Sequence, residues 1–183
     1  VSGSKYAVIE RERRFLVPKL PREQPWATRS IEDLYIEGTR VRLRRSDGVV
    51  GGRSEVIRKL TQKLSDPDAE GGRRGHITTM YLNETEYERL SVLPGHWLKK
   101  ERLSFPPMGV DVFQGALAGL LVAEAEFSND ESMAAFVPPP WCGPEITEHL
   151  EFTGANLARI AALPPLAARA ALAAARLSVE QVP

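Results

Sequence analysis

Period-two alternation of apolar and ionic residues recurs along most of this chain, and it constrains the fold more than any other feature. In the first such run Ile9 and Phe15 share one parity, and Glu10, Glu12 and Arg14 share the other. Val41 and Leu43 oppose Arg40, Arg42 and Arg44, and Leu60 and Leu64 oppose Lys59, Thr61 and Lys63. Trp97, Leu103 and Phe105 oppose Lys100 and Arg102. Leu121, Ala123, Ala125 and Phe127 oppose Glu124 and Glu126, and Ile146, Leu150 and Phe152 oppose Thr147, His149 and Glu151. Successive side chains on a strand point to opposite faces, so each run reads as a strand with one apolar and one ionic face.

The runs are separated by turn and breaker signals. Strands are expected over Tyr6–Val17, Asp33–Arg45, Glu55–Leu64, His76–Leu82, Trp97–Phe105, Val110–Phe113, Leu120–Phe127 and Glu145–Phe152. Pro18, Pro21 and Pro25 interrupt regular structure, Ser46-Asp47-Gly48 reads as a turn, and residues 65–75 read as a loop. Asn83 with Glu86 forms a capping-box signal for a helix over Glu84–Leu93. A short helix is expected over Asn129–Phe136, and a helical pattern over Asn156–Leu177 breaks at Pro164-Pro165. The 183 residues contain no internal repeat and read as a single domain, with 155–183 a C-terminal helical segment.

A sheet with one wet, charged face would account for any single strand. Three features argue for more. Like charges are segregated by strand, with Glu10/Glu12, Glu124/Glu126 and Arg40/Arg42/Arg44 each spaced two apart. The ionic tally is large, adding Lys59, Lys63, Lys100, Arg102 and Asp111. Helices are too few to cover the apolar faces of an ordinary two-layer protein. The expected fold is therefore α+β: strands closed into a barrel with a polar charged interior, their apolar faces outward under flanking helices. Buried like charges need counter-ions. Converging basic side chains call for a polyanion, and clustered carboxylates for a hard divalent cation such as Mg²⁺, which is commonly shared between carboxylates and substrate phosphates.

The run Glu10-Arg11-Glu12-Arg13-Arg14-Phe15 resembles the E-x-E-x-K signature of the CYTH superfamily, the triphosphate tunnel metalloenzymes. In order along the chain, Arg40-Val41-Arg42-Leu43-Arg44, Lys59-Leu60-Thr61-Gln62-Lys63, Lys100-Glu101-Arg102, Val110-Asp111-Val112-Phe113-Gln114-Gly115 and Gly119-Leu120 through Glu124-Ala125-Glu126-Phe127 resemble its further strand motifs. The likeness covers roughly residues 6–160. It implies an antiparallel eight-stranded β-barrel, a tunnel flanked by helices, that acts on triphosphate compounds with Mg²⁺ or Mn²⁺. Glu10, Glu12, Glu124 and Glu126 would be metal ligands. Arg14, Arg40, Arg42, Arg44, Lys59, Lys63, Lys100 and Arg102 would bind the phosphate chain. Glu10, Glu12, Lys59 and Asp111 would carry the catalytic roles, Asp111 by orienting a basic side chain or assisting at the metal. This sequence departs from the pattern at three places. Arg14 replaces the signature lysine, His76–Tyr81 lacks the middle-strand acidic pair, and Glu151 stands where many members carry a basic residue.

A metal-dependent triphosphatase, with inorganic triphosphate as substrate, is the leading expectation. The alternatives are a class IV type adenylate cyclase and a non-catalytic receptor for polyphosphate or nucleotides. The expected partner is a small-molecule triphosphate or nucleotide, with homodimerisation possible. A net charge of zero argues against a stable nucleic-acid partner, and no apolar run approaches membrane-spanning length. The single Cys142 excludes an internal disulfide and fits a reducing cytoplasm, and residues 1–5 lack the apolar core of a secretory signal. Cys142 reads as a packed loop thiol. His76, His96 and His149 read as structural or solvated, and Gly71-Gly72-Arg73-Arg74-Gly75 as a solvated loop that could touch phosphate.

Overall fold

The computed structural model describes residues 5–50, 53–65 and 74–180. Eight strands, β1 (Val8–Leu16), β2 (Ala27–Ile36), β3 (Val41–Val50), β4 (Arg53–Ser65), β5 (Arg74–Tyr81), β6 (Gly95–Phe105), β7 (Met108–Phe113) and β8 (Leu121–Glu126), close into a barrel in the order β1-β5-β4-β3-β2-β6-β7-β8. Every pairing is antiparallel. The helices are α1 (Glu84–Ser91), α2 (Asp130–Ala135), α3 (Gly154–Ala161) and α4 (Pro165–Glu180). α1 starts where expected, its Asn83 side chain accepting from the Glu86 backbone while Glu86 returns the bond.

The eight expected strands and the eight observed ones are not the same set. The segment Asp33–Arg45 is a hairpin, β2 and β3, turning at Gly38, whose φ of 69° suits a residue without a Cβ. Ser46-Asp47-Gly48 lies inside β3, because pairing on both edges outweighs its local turn preference. The segment Glu145–Phe152 is not a strand. It makes one isolated bridge, Phe15 to Glu145, and ends in a 3-10 turn over Leu150–Phe152. Both edges of β1 are otherwise used, by β5 over Val8–Arg11 and by β8 over Glu12–Leu16. Residues 144–146 patch only the stretch beyond the reach of β5, through Ile146 N–H to Arg14 O (2.8 Å) and Leu16 N–H to Pro144 O (2.9 Å). Most of the expected loop, residues 66–73 with Gly71-Gly72-Arg73, lies outside the described residues, and Arg74 and Gly75 belong to β5.

The outward apolar faces are covered in two ways. α1 lays Tyr87 and Leu90 over Leu34, Leu43 and Leu60. Elsewhere a loop does the work of a helix: Phe136, Trp141 and Cys142 pack over Phe15, Phe105, Met108, Val110 and Ala123. The outward Arg13 fastens this cover, paired with Glu145 (2.6 Å) and donating to Phe136 O (2.9 Å).

The barrel interior is not ionic throughout. Leu98, Phe113 and Val122 share the inward parity of Lys100, Asp111 and Glu124, and are buried with Ile146, Phe152, Leu157 and Ala158. α3 and α4 thus close one end of the lumen with an apolar plug, and the C-terminal helical segment is part of the barrel's core. Replacing Leu98 with Ala removes a plug residue that is 1% exposed and is expected to cost about 2–5 kcal/mol. Urea denaturation of the variant checks this; an unchanged midpoint would show that the plug is not a packed element.

Candidate active site

The strand registers aim the segregated charges at one enclosed axis. Glu12 lies opposite Glu126, Arg14 opposite Glu124, Arg44 opposite Lys59 and Arg102 opposite Asp111. Glu10, Glu12 and Arg14 project inward from β1, Arg42 and Arg44 from β3, and Lys59 and Lys63 from β4. Lys100 and Arg102 come from β6, Asp111 from β7, and Glu124 and Glu126 from β8. Arg40 sits just ahead of β3 and is exposed.

Two buried aspartates organise the basic side chains. Asp111 is 4% exposed and accepts from Lys100 Nζ (2.5 Å) and, in bidentate fashion, from Arg102 (2.7 and 2.8 Å). Arg102 also pairs with Glu124. Asp33 is fully buried; it takes a bidentate pair from Arg44 (2.6 and 2.7 Å) and lies 3.5 Å from Arg42 Nε. Burial pushes the Asp33 carboxyl upward, but Arg44 and Arg42 outweigh it and hold the group well below the usual carboxylate range. Burial likewise opposes ionisation of Asp111 and Glu124, and their basic partners reverse the balance. Lys59 and Lys100 are shifted down, each chiefly by burial and then by neighbouring guanidinium charge, so both hold their protons less tightly than a solvated lysine.

The carboxylates of β1 and β8 behave differently. Burial, followed by the adjacent Glu124, raises Glu12 to about 7, and Glu126 is raised by the same two causes. Lys63 Nζ bridges Glu10 (2.5 Å) and Glu12 (2.9 Å) from across the lumen. Among the described residues, no three His, Cys, Asp or Glu side chains are gathered tightly enough to hold a metal ion in this arrangement. The donor set nevertheless fits a hard divalent cation. It is all carboxylate oxygen from two adjacent strands, and the raised affinity of Glu12 for protons reflects burial first and the neighbouring Glu124 charge second, both of which a cation would offset.

Arg14 is committed to the structure: it donates to Phe152 O (2.8 Å) and Thr147 O (2.8 Å) and stays 3.7 Å from Glu12. Glu151 does not face the lumen; it accepts from Ser178 of α4 (2.8 Å) and lies 3.8 Å from His149. His76 has outward parity, and buried Leu98 separates His96 from Lys100 on β6. Cys142 lies 3.8 Å from the Met108 sulfur, and burial pushes its thiol up to about 11, which fits a packed, unreactive group. Inward Thr61 and Thr79 share a hydrogen bond (3.1 Å), and Ile77 shares the parity of Thr79 on β5.

Asp33 and Tyr35, which hydrogen-bonds Arg42, were not identifiable as site residues by motif. Their signal was parity: Asp33 falls between Ile31 and Tyr35 on the inward face of β2, recognisable only once 33–45 is divided into two strands. Replacing Asp33 with Asn leaves two guanidinium groups without their anion and is expected to cost about 3–5 kcal/mol at pH 7. Because the folded pKa is depressed, this contribution is complete above the unfolded value near 4 and declines progressively as pH falls from there through the folded value well below it. Thermal melts of both proteins should therefore converge towards pH 2; a constant gap would contradict the ion-pair assignment.

No protein-family model matches the chain. Over 96 residues, 49% of the chain, the sequence is 34% identical to an inorganic triphosphatase of Nitrosomonas europaea, and the matched stretch spans 64% of that protein's length. The fold superposes on the crystal structure of the inorganic triphosphatase NE1496 with a TM-score of 0.53 and 26% identity, covering 86% of this chain and 97% of that one. A crystal structure of the hypothetical protein NE1496 gives a TM-score of 0.54 and 28% identity, covering 85% and 99% of the two chains. The chain is thus similar, in half of its sequence and most of its fold, to an inorganic triphosphatase barrel.

Proposed function

We propose that this protein is a metal-dependent triphosphatase of the CYTH, or triphosphate tunnel, type, with inorganic triphosphate as its leading substrate. One observation carries the reading: six basic side chains, Arg42, Arg44, Lys59, Lys63, Lys100 and Arg102, share an enclosed lumen with the paired glutamates of β1 and β8. The likeness to the Nitrosomonas europaea inorganic triphosphatase supports it.

In this reading the basic side chains align a triphosphate along the lumen and neutralise its charge. Asp33 and Asp111 act as positioning residues, fixing Arg42/Arg44 and Lys100/Arg102 before substrate arrives, so that little reorganisation accompanies binding. Lys59, with its lowered proton affinity, places a compact donor beside Arg44 for charge that develops on a phosphate oxygen. Glu10, Glu12, Glu124 and Glu126 would hold Mg²⁺ or Mn²⁺, which when bound supplies Lewis-acid polarisation of phosphate oxygens and lowers the pKa of a bound water. Arg14, tied to backbone carbonyls, supplies fixed positive potential.

The inward Ile77 and Thr79, in place of carboxylates, favour a second reading, a receptor that binds polyphosphate without turnover. A panel of tripolyphosphate, ATP and thiamine triphosphate with Mg²⁺ or Mn²⁺ separates the readings. Phosphate release is expected, greatest from tripolyphosphate. Cyclic AMP with pyrophosphate from ATP would identify a cyclase, and tight binding without release a receptor. Glu10→Gln and Glu126→Gln are each expected to lower Mg²⁺-dependent phosphate release at least about a hundredfold. Arg42→Ala is expected to raise KM for triphosphate about tenfold or more. Rates near wild type in the first pair, or an unchanged KM in the third, would refute those roles.

A further inference from the structure

We infer that Arg29 is an additional substrate-binding residue, one that grips the phosphate farthest from the plugged end of the lumen. The inference deepens the triphosphatase reading and rests on it. The inward positions of β2 are Ala27, Arg29, Ile31, Asp33 and Tyr35. Tyr35 marks the closed end, since a Cβ on Gly154 of α3 would collide with its hydroxyl. Arg29 lies six residues away along the strand, roughly 20 Å at strand rise. Register pairs it with Arg102 of β6 on one side and Gly48 of β3 on the other.

Gly48 lets the Arg29 side chain lie flat across β3. A Cβ there would come within 2.5 Å of Arg29 Cγ and 2.9 Å of Thr28 O. Across that gap Arg29 Nη2 reaches Glu55 on β4 (2.5 Å), and Glu55 faces Gly48 in register. The other terminal nitrogen, Nη1, is buried and has no hydrogen-bond partner among the described residues. Leaving such a charged donor unsatisfied is costly, whereas a phosphate oxygen would satisfy it. The Glu55 side chain is 47% exposed, so its pair with Arg29 is a weak one that an arriving anion can displace. Arg102, the neighbouring guanidinium, already commits its Nε and Nη2 to Asp111 and Glu124. Arg29 therefore adds a second guanidinium donor to this row, with Glu55 as its resting counter-ion.

Calorimetric titration with tripolyphosphate in EDTA tests this without requiring turnover. Arg29→Gln should weaken binding about tenfold or more. Glu55→Gln, which leaves Arg29 in place and removes its competitor, should tighten it. Arg45→Gln removes the same charge from the outer face, where Arg45 pairs with Asp47, and should leave affinity within about twofold of wild type. Arg29→Gln binding as well as Arg45→Gln, or Glu55→Gln binding more weakly than wild type, would overturn the role of Arg29 while leaving the triphosphatase reading standing. Failure of the wild-type protein to bind tripolyphosphate, in EDTA and with added Mg²⁺ alike, would overturn both.

Discussion

Two buried aspartates, each holding two basic side chains, are the interaction on which the barrel's interior depends. Asp33 clamps Arg44 and faces Arg42, and Asp111 clamps Lys100 and Arg102. One carboxylate cannot neutralise two cations, so the Asp33 cluster keeps positive charge in a space walled by protein, while at Asp111 the second carboxylate, Glu124, balances Arg102. Burial alone would drive an isolated guanidinium or carboxylate out of such a place. Here Arg44 and Arg102 make short bidentate pairs and Lys100 a short single one, which lets charge persist in the lumen and fixes its direction. The cost of assembling like charges is met during folding, so the donors are already oriented for the proposed polyanion.

Space for these long side chains comes from glycines on the inward parity. A Cβ on Gly109 would lie 3.3 Å from Arg102 Cδ, and one on Gly75 would lie 3.3 Å from Lys63 Cε. Gly48 does the same for Arg29. The glycines sit on strands adjacent to the cations they admit, a pairing that register creates and that no local sequence motif announces. At the other end the same inward parity carries Leu98, Phe113 and Val122, so the lumen passes from ionic to apolar along single strands.

Most of this was legible in the sequence, because parity is a local property that survives any arrangement of strands. The barrel class, the facing of Glu10, Glu12, Lys59, Lys63, Lys100, Arg102, Asp111, Glu124 and Glu126, and the capped helix after Asn83 all follow from spacing. The misread parts depend on distant partners. Asp33–Arg45 looked continuous because the short turn at Gly38 leaves β-forming residues on both sides. Glu145–Phe152 alternates as a strand should, yet Ile146 and Phe152 are spent on the plug, and only a short stretch of β1 was left without a partner. Arg14 faces inward as its motif implies, and carbonyls of Thr147 and Phe152, brought near only by the closed fold, hold its two terminal nitrogens, a partnership no motif announces.

The account turns on one claim: the acids and bases of opposing strands meet in a lumen shaped for an extended phosphate chain and its cation. A crystal structure of the protein grown with tripolyphosphate and Mn²⁺, phased to locate manganese by anomalous scattering, tests it most directly. The account predicts phosphate density inside the barrel against Arg42, Lys100 and Arg102, with a manganese peak beside the glutamates of β1 and β8. Tripolyphosphate bound only to the outer surface, with no manganese in the lumen, would contradict it.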